Sequence, residues 1–167
     1  RAYDHVHFSV PDPSGAQAWY MAHLDGIEGE SPDRVTFGGM PWTGSGPIPV
    51  QLLWARLPED APPVQGSPIL NLGISVRDVE VKVRELEAAG VRVVRPVGEG
   101  WGPWKSAVVE DPWGVHIQLV EDPDLPGFHH VTLRTADVDG TLAWYLDRFG
   151  GERVRVGGLD ALSYGSM

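Results

Sequence analysis

Three segments of the chain share one pattern, in which a strand of alternating apolar and polar residues precedes a helix that begins at an aspartate. The predicted helix caps are Asp12, Asp78 and Asp137, since aspartate at this position accepts a hydrogen bond from the first helical turn. The apolar face of each first strand is expected to lie under its helix, with the polar face on the other side. The apolar sets are Val6, Phe8 and Val10; Leu70, Leu72, Ile74 and Val76; and Val131 and Leu133.

The pattern is an internal repeat. His5-Val6 at the start of the chain recurs as His130-Val131, and the helix segment 18–20, Ala-Trp-Tyr, recurs at 143–145. The chain therefore divides into two complete strand-helix-strand-strand-strand modules and the start of a third. We expect module 1 over residues 1–57, module 2 over 69–122 and an incomplete third module over 127–167, joined by linkers at 58–68 and 122–126.

One such module is a sheet covered by a helix on one face, which makes the fold class α+β. We expect modules 1 and 2 to pair, so that residues 1–122 form one domain. Their uncovered polar faces would then line a shared cleft.

The stretch Val108–Glu121 closes module 2. A strand enters the turn Asp111-Pro112-Trp113-Gly114, whose proline and glycine are typical turn residues. In the strand that follows, His116 and Gln118 share one face because strand side chains alternate with a period of two. This face is where the sequence predicts function.

Composition excludes several functions. The net charge of −10 among 167 residues argues against nucleic acid and anionic membrane surfaces as partners. No apolar stretch is long enough to span a membrane, and the absence of cysteine fits a reducing cytoplasm. Arg1 in place of an initiator methionine, together with the unfinished third module, leads us to expect a longer native chain.

Tryptophan is abundant, with seven residues in the chain. Four of them are predicted in loops, where an indole ring can stack on a flat ligand. These are Trp42, Trp101, Trp104 and Trp113. Trp19 and Trp144 occupy the same point of a repeated helix and are expected to pack against their sheets.

The openings H-V-x-F-x-V-x-D, the close E-D-P-W-G-V-H-I-Q-L-V-E and the repeated module together resemble the vicinal oxygen chelate superfamily. This superfamily includes glyoxalase I, the bleomycin resistance proteins and the type I extradiol dioxygenases. The resemblance implies paired βαβββ modules, whose cleft binds a divalent metal through side chains on the first and last strands of each module.

The same resemblance places the metal slots of modules 1 and 2 at His5, Gln51, Asn71 and Gln118. Asn71 stands where the family usually has histidine and Gln118 where it usually has glutamate. Neutral amides are weak ligands for iron, manganese or zinc, so we expect no metal cofactor in modules 1 and 2. A zinc site made of His5, His7 and His116 stays open as an alternative.

His130 occupies the first-strand slot of the third module. In four-module extradiol dioxygenases the first module pair lacks the metal and the second carries it. The resemblance therefore makes His130 a candidate metal ligand, with Fe(II) or Mn(II) expected in a full-length protein.

Three functions remain open. The first is a metal-free cleft in modules 1 and 2 that binds a small, aromatic molecule without catalysis. The second is the N-terminal part of a metal-dependent ring-cleaving dioxygenase, whose metal would bind O2 and a catecholate together. The third is an assembly role, with a homodimer formed by strand exchange at the third module. The expected ligand cleft consists of His5, His7, Gln51, Asn71, His116, Gln118, Trp42, Trp101, Trp104 and Trp113.

Overall fold

The computed structural model describes residues 5–29, 31, 33–37, 50–57 and 67–164. Within these residues the chain forms three helices and eleven strands in mixed sheets, which confirms the α+β class. The chain divides into two compact units, residues 4–66 and residues 67–167. None of the described helices is long and apolar enough to cross a membrane.

The first unit is a four-stranded sheet with one helix. Its elements are β1 (His5–Val10), α1 (Pro13–Leu24), β2 (Ile27–Glu28), β3 (Arg34–Phe37) and β4 (Val50–Arg56). The strand order is β1-β4-β3-β2, and β1 runs parallel to β4. Helix α1 buries the Tyr20 ring between Trp54 and Phe37, with centroids 5.0 Å and 6.3 Å away. This aromatic cluster is the centre of the unit's core.

The second unit contains module 2 and the third module. Its elements are β5 (Ile69–Ser75), α2 (Val79–Ala88), β6 (Arg92–Trp101), β7 (Trp104–Glu110), β8 (His116–Val120), β9 (Gly127–Leu133), α3 (Val138–Phe149), β10 (Glu152–Val156) and β11 (Leu159–Ser163). Five strands form one sheet in the order β6-β7-β8-β5-β9, and β10 and β11 form a separate hairpin. The buried face of α2 consists of Val79, Val83 and Leu86.

The first strand of the third module belongs to the sheet of module 2, because β9 pairs antiparallel with β5. The sequence did not predict this pairing. It predicted instead that modules 1 and 2 form one domain over residues 1–122. The pairing of modules 1 and 2 stays a prediction.

Each of the three helices begins at its predicted aspartate cap. The side chains of Asp12, Asp78 and Asp137 accept hydrogen bonds from the backbone N–H of Gly15, Val81 and Gly140. Because a cap satisfies a backbone donor that the helix leaves without a partner, the aspartates define where each module's helix starts.

Asp111 organises the turn that precedes β8. Its Oδ1 atom accepts hydrogen bonds from the backbone N–H of Trp113 at 2.9 Å and Val115 at 2.7 Å, and Gly114 takes a φ of 85°. Glycine tolerates this left-handed conformation without a Cβ penalty. The turn therefore fixes the entry of β8 and the direction in which His116 and Gln118 project.

Two of the predicted loop tryptophans are in strands. Trp101 ends β6 and Trp104 begins β7, and they pair across a tight turn in which Gly102 has a φ of 67°. The prediction failed because Pro96 and two glycines interrupt the strand pattern, while the irregular register of this hairpin accommodates them. Trp113 does lie in the predicted turn, and Trp42 lies outside the described residues.

Three apolar positions are more exposed than expected, and one of them is Leu133 of β9, at 38%. Leu70 is 39% exposed because the pairing of β5 with β9 shifts register at this residue. Trp144 of α3 is 52% exposed, so the packing predicted for it was wrong. Its counterpart helix α1 packs on a four-stranded sheet, whereas α3 contacts β11 of a two-stranded hairpin.

Replacing Asp78 with alanine should lower the free energy of unfolding by about 1 kcal/mol, because the first turn of α2 loses its cap. Arg84→Ala on the exposed face of the same helix is the control and should change stability by less than about 0.5 kcal/mol. Urea unfolding of both variants measures the difference. Equal losses would show that the cap does not define this helix.

Candidate functional site

A row of polar positions crosses the centre of the second unit's sheet. Gly73 of β5 is in register with Gln118 of β8 on one side and with His130 of β9 on the other. Asn71 lies two residues earlier on β5 and therefore on the same face, about 7 Å away along the strand. The pairing of β9 with β5 thus brings an imidazole to the amides that the sequence had singled out.

A β-bulge brings a second histidine, His129, into contact with His130 of this row. Gly73 pairs with His130 and the next residue, Ile74, pairs with Phe128, so His129 is an extra residue on β9. In a regular strand, neighbouring side chains project to opposite faces, whereas a bulge redirects them. The bulge accordingly allows the rings of His129 and His130 to meet, with their Nδ1 atoms 2.8 Å apart.

The two histidines belong to a chain of four polar side chains. His129 Nε2 is 3.1 Å from Asp122 Oδ2, and His130 Nε2 is 3.4 Å from the Gln118 side-chain oxygen. Ser75 anchors Asp122, because its hydroxyl donates to the Asp122 carbonyl at 2.7 Å and accepts from the Asp122 N–H at 3.1 Å. The order along the chain is therefore Asp122, His129, His130, Gln118.

The chain of contacts is buried. Gln118, Asp122 and His129 are 3%, 4% and 4% exposed, and the Trp104 ring meets His129 edge to face at 5.7 Å between centroids. Gly73 makes room for the His130 ring, since a Cβ at this position would lie 2.0 Å from His130 Nδ1. Any side chain at Gly73 would displace the imidazole.

Burial keeps both histidines neutral. Desolvation, followed by the nearby His129, lowers the pKa of His130 from 6.5 to about 3. Desolvation also lowers the pKa of His129, although its hydrogen bond to Asp122 acts in the opposite direction. Neutral imidazoles carry one N–H donor and one acceptor nitrogen each.

Two amide atoms in this region are buried without a hydrogen-bond partner among the described residues. They are Asn71 Oδ1 and Gln118 Nε2. Buried polar atoms in native proteins nearly always have a partner, and leaving one without a partner costs roughly 1–3 kcal/mol. Two buried amide atoms without hydrogen-bond partners on one sheet face would be explained by a bound molecule that forms hydrogen bonds with them.

The donor set does not fit a divalent iron, manganese or zinc ion. Within the described part of the chain, no group of three histidine, cysteine or carboxylate side chains could hold a metal. The row offers one imidazole and two neutral amides, whereas these metals prefer several imidazoles with a carboxylate or thiolate. No step of the chemistry is assigned to a metal here.

The other predicted site residues belong to the first unit, have other contacts within the second unit, or fall outside the described side chains. His5 and His7 are exposed on one face of β1, and His5 is in register with Gln51. His116 contacts Glu110 at 3.1 Å, a carboxylate whose pKa is lowered mainly by its hydrogen bond with Arg92. The side chains of Gln51 and Trp101 are not among those described, and the joint cleft of modules 1 and 2 stays a prediction.

Sequence reasoning missed Asp122 and His129. Asp122 fell in a predicted linker, and His129 was not singled out. The adjacent pair His129-His130, seven residues after an aspartate, was the available signal. It could not be interpreted without the bulge.

The profile of the Glyoxalase/Bleomycin resistance protein/Dioxygenase superfamily matches residues 2–119. Since this match covers more than half of the chain, the protein belongs to that superfamily, and the resemblance inferred from its motifs is confirmed. No curated protein matches the sequence.

Solved structures share the fold. Glyoxalase I from Zea mays has a TM-score of 0.65 at 18% identity, over 92% of this chain and 57% of its own. A putative dioxygenase from Bacillus subtilis has a TM-score of 0.61 at 19% identity, over 92% of this chain and 56% of its own. A glyoxylase/bleomycin resistance protein/dioxygenase domain from Frankia scores 0.50 at 19% identity, over 72% of this chain and 97% of its own. This chain thus spans little more than half of the first two proteins, and at such identity the likeness concerns the fold.

Gly73→Ala should lower the free energy of unfolding by about 1–3 kcal/mol, because the new methyl group collides with the His130 ring. Gly98→Ala is the matched control, since a Cβ there would meet nothing within 4 Å. Urea unfolding compares the two variants. A Gly73→Ala protein as stable as Gly98→Ala would contradict the close approach of β9 to β5.

Stability should fall as the pH is lowered below 6.5. The unfolded chain then protonates His130 at its ordinary pKa of 6.5, whereas the folded chain does so only near 3, so protons favour unfolding throughout that window. The loss is about 1.4 kcal/mol per pH unit for a fully shifted histidine. Urea unfolding between about pH 7 and pH 5 should show a shallower slope for His130→Gln. The control His7→Gln replaces an exposed histidine of β1 and should keep the wild-type slope. An unchanged slope in His130→Gln would contradict the burial of a neutral imidazole.

Proposed function

We propose that this chain binds a small organic molecule, without a metal ion, on the polar sheet face that carries Asn71, Gln118 and His130. The observation that supports this proposal is the pair of buried amide atoms that have no partner among the described residues. A ligand that pairs with both atoms removes their desolvation penalty. This gain exists only in the bound state and therefore contributes directly to affinity.

The surroundings suit binding without catalysis. Gln118 is nearly inaccessible to water, so a hydrogen bond to it forms in a medium of low dielectric constant, where it is stronger than at the surface. Asn71 and Gln118 have no charge in either bound or free form. They orient a ligand, but they neither activate a nucleophile nor transfer a proton.

An aromatic ligand is the preferred class. Module 2 contributes Trp104, which is half-buried and contacts His129, and family members include the bleomycin resistance proteins. A second concavity of about 360 Å³ lies beside Trp104, lined by Glu99, Gly102, Pro103, Lys105 and Glu121. The test therefore has to distinguish the sheet face from this neighbouring groove.

Catechol is a suitable probe, and quenching of tryptophan fluorescence in protein dialysed against a chelator measures its binding. Wild-type protein should show saturable quenching. Gln118→Leu, which keeps the side-chain size but removes the amide, should weaken binding about tenfold. The control Lys105→Met alters the groove beside Trp104 and should bind like the wild type. Binding lost in Lys105→Met but kept in Gln118→Leu would contradict the proposed location.

A metal-dependent extradiol dioxygenase is the second candidate, supported by His130 at the first-strand position of the third module. The described residues supply one imidazole to such a site. Further ligands would come from a fourth module of a longer protein, and the putative dioxygenase of Bacillus subtilis is longer than this chain. Stoichiometric iron or manganese in the intact purified protein, lost in His130→Ala, would favour this candidate over metal-free binding.

A further inference from the structure

The polar row of the second unit's sheet extends to an arginine on the edge strand opposite β9. Gln118 of β8 is in register with Val108 of β7, and Val108 is in register with Arg95 of β6. Residues in register on neighbouring strands lie on the same face of a sheet. Arg95 therefore shares the face that carries Gln118 and Asn71. Two strand spacings separate Arg95 from Gln118, which puts their Cα atoms about 10 Å apart.

A register shift on β6 gives this position to Arg95. On β7, Val108 and Val109 follow each other directly, whereas their partners on β6 are Arg95 and Val93. Val94 is thus an extra residue on β6. In a regular ladder Val94 would be opposite Val108 and would present an apolar side chain to this face. The shift replaces that apolar side chain with a cation at the edge of the polar row.

The guanidinium of Arg95 lies over the same face. Its Nη2 atom donates a hydrogen bond to the Ser106 hydroxyl oxygen at 3.2 Å. Ser106 precedes Val108 by two residues and shares its face of β7. Because Ser106 is buried, the sheet provides a fixed acceptor that holds the guanidinium in place. This bond uses one of the five N–H donors of the arginine side chain.

The carboxylates around this face have partners of their own. Glu110 pairs with Arg92 and contacts His116, and the Asp122 carboxylate is bonded to a histidine and to a backbone N–H. Arg95 forms no ion pair with the part of the chain that the structure describes. Its charge is therefore available to a ligand.

We propose that Arg95 binds the carboxylate of a small aromatic acid, whose ring lies over Val108 and whose other end faces the Gln118 amide. This inference rests on the proposed binding function and deepens it, because it names the ligand class. Arginine pairs with a carboxylate through two parallel N–H···O bonds. At the other end, Gln118 Nε2 is a buried donor without a partner among the described residues, so it suits an acceptor on the ring.

The charge of the whole chain makes such a preference diagnostic. With a net charge of −10, the protein as a whole repels anions. Tighter binding of an acid than of its neutral analogue would therefore come from a local cation. Benzoate and benzamide suit this comparison, because they have nearly the same shape and only benzoate is charged at neutral pH.

Quenching of tryptophan fluorescence by benzoate and by benzamide, in protein dialysed against a chelator, tests the role of Arg95. Wild-type protein should bind benzoate about tenfold more tightly than benzamide. Arg95→Gln should lose most of this preference. Arg84→Gln removes the same charge from the exposed face of α2 and should keep it. An equal preference in Arg95→Gln and the wild type would overturn the assignment of Arg95.

Catechol, which is uncharged at neutral pH, separates this inference from the proposed function. Wild-type protein that binds catechol but does not prefer benzoate over benzamide would overturn the ligand class and leave the binding function. If catechol, benzoate and benzamide all fail to bind, the proposed function itself is refuted.

Discussion

The antiparallel pairing of β9 with β5 is the interaction on which the candidate site depends. It places the first strands of two modules side by side, so that Gln118, Gly73 and His130 form one row across three strands. A slip of one residue would turn every side chain of β9 to the other face. Gly73 permits this register because the imidazole of His130 occupies the space that a Cβ would fill.

The bulge at His129 adds a hydrogen-bonded network of side chains to this strand pairing. Two consecutive histidines contact each other, and Asp122, held at both backbone atoms by the Ser75 hydroxyl, supplies a fixed acceptor at the end of the chain. Burial makes the direction of the hydrogen bonds consequential, because a buried polar atom without a partner is costly.

The superfamily fold and the site of this chain carry different information. The profile match establishes the family, and neighbours such as glyoxalase I from Zea mays share the architecture. Function depends on the side chains placed on the fold. Here the row contains amides and a neutral imidazole. The carboxylate of Asp122 is not part of the row and is hydrogen-bonded to His129. This arrangement suits hydrogen bonding to a small molecule better than coordination of a metal.

The sequence by itself determined the aspartate caps and the superfamily, because each depends on residues close together in the chain. The resemblance to the superfamily also singled out Asn71, Gln118 and His130. Only the tertiary structure decided that His130 lies beside Gln118, that His129 and Asp122 join it, and that Trp101 and Trp104 extend a hairpin. Strand order and bulges depend on contacts between distant segments, and a local pattern of period two does not record them.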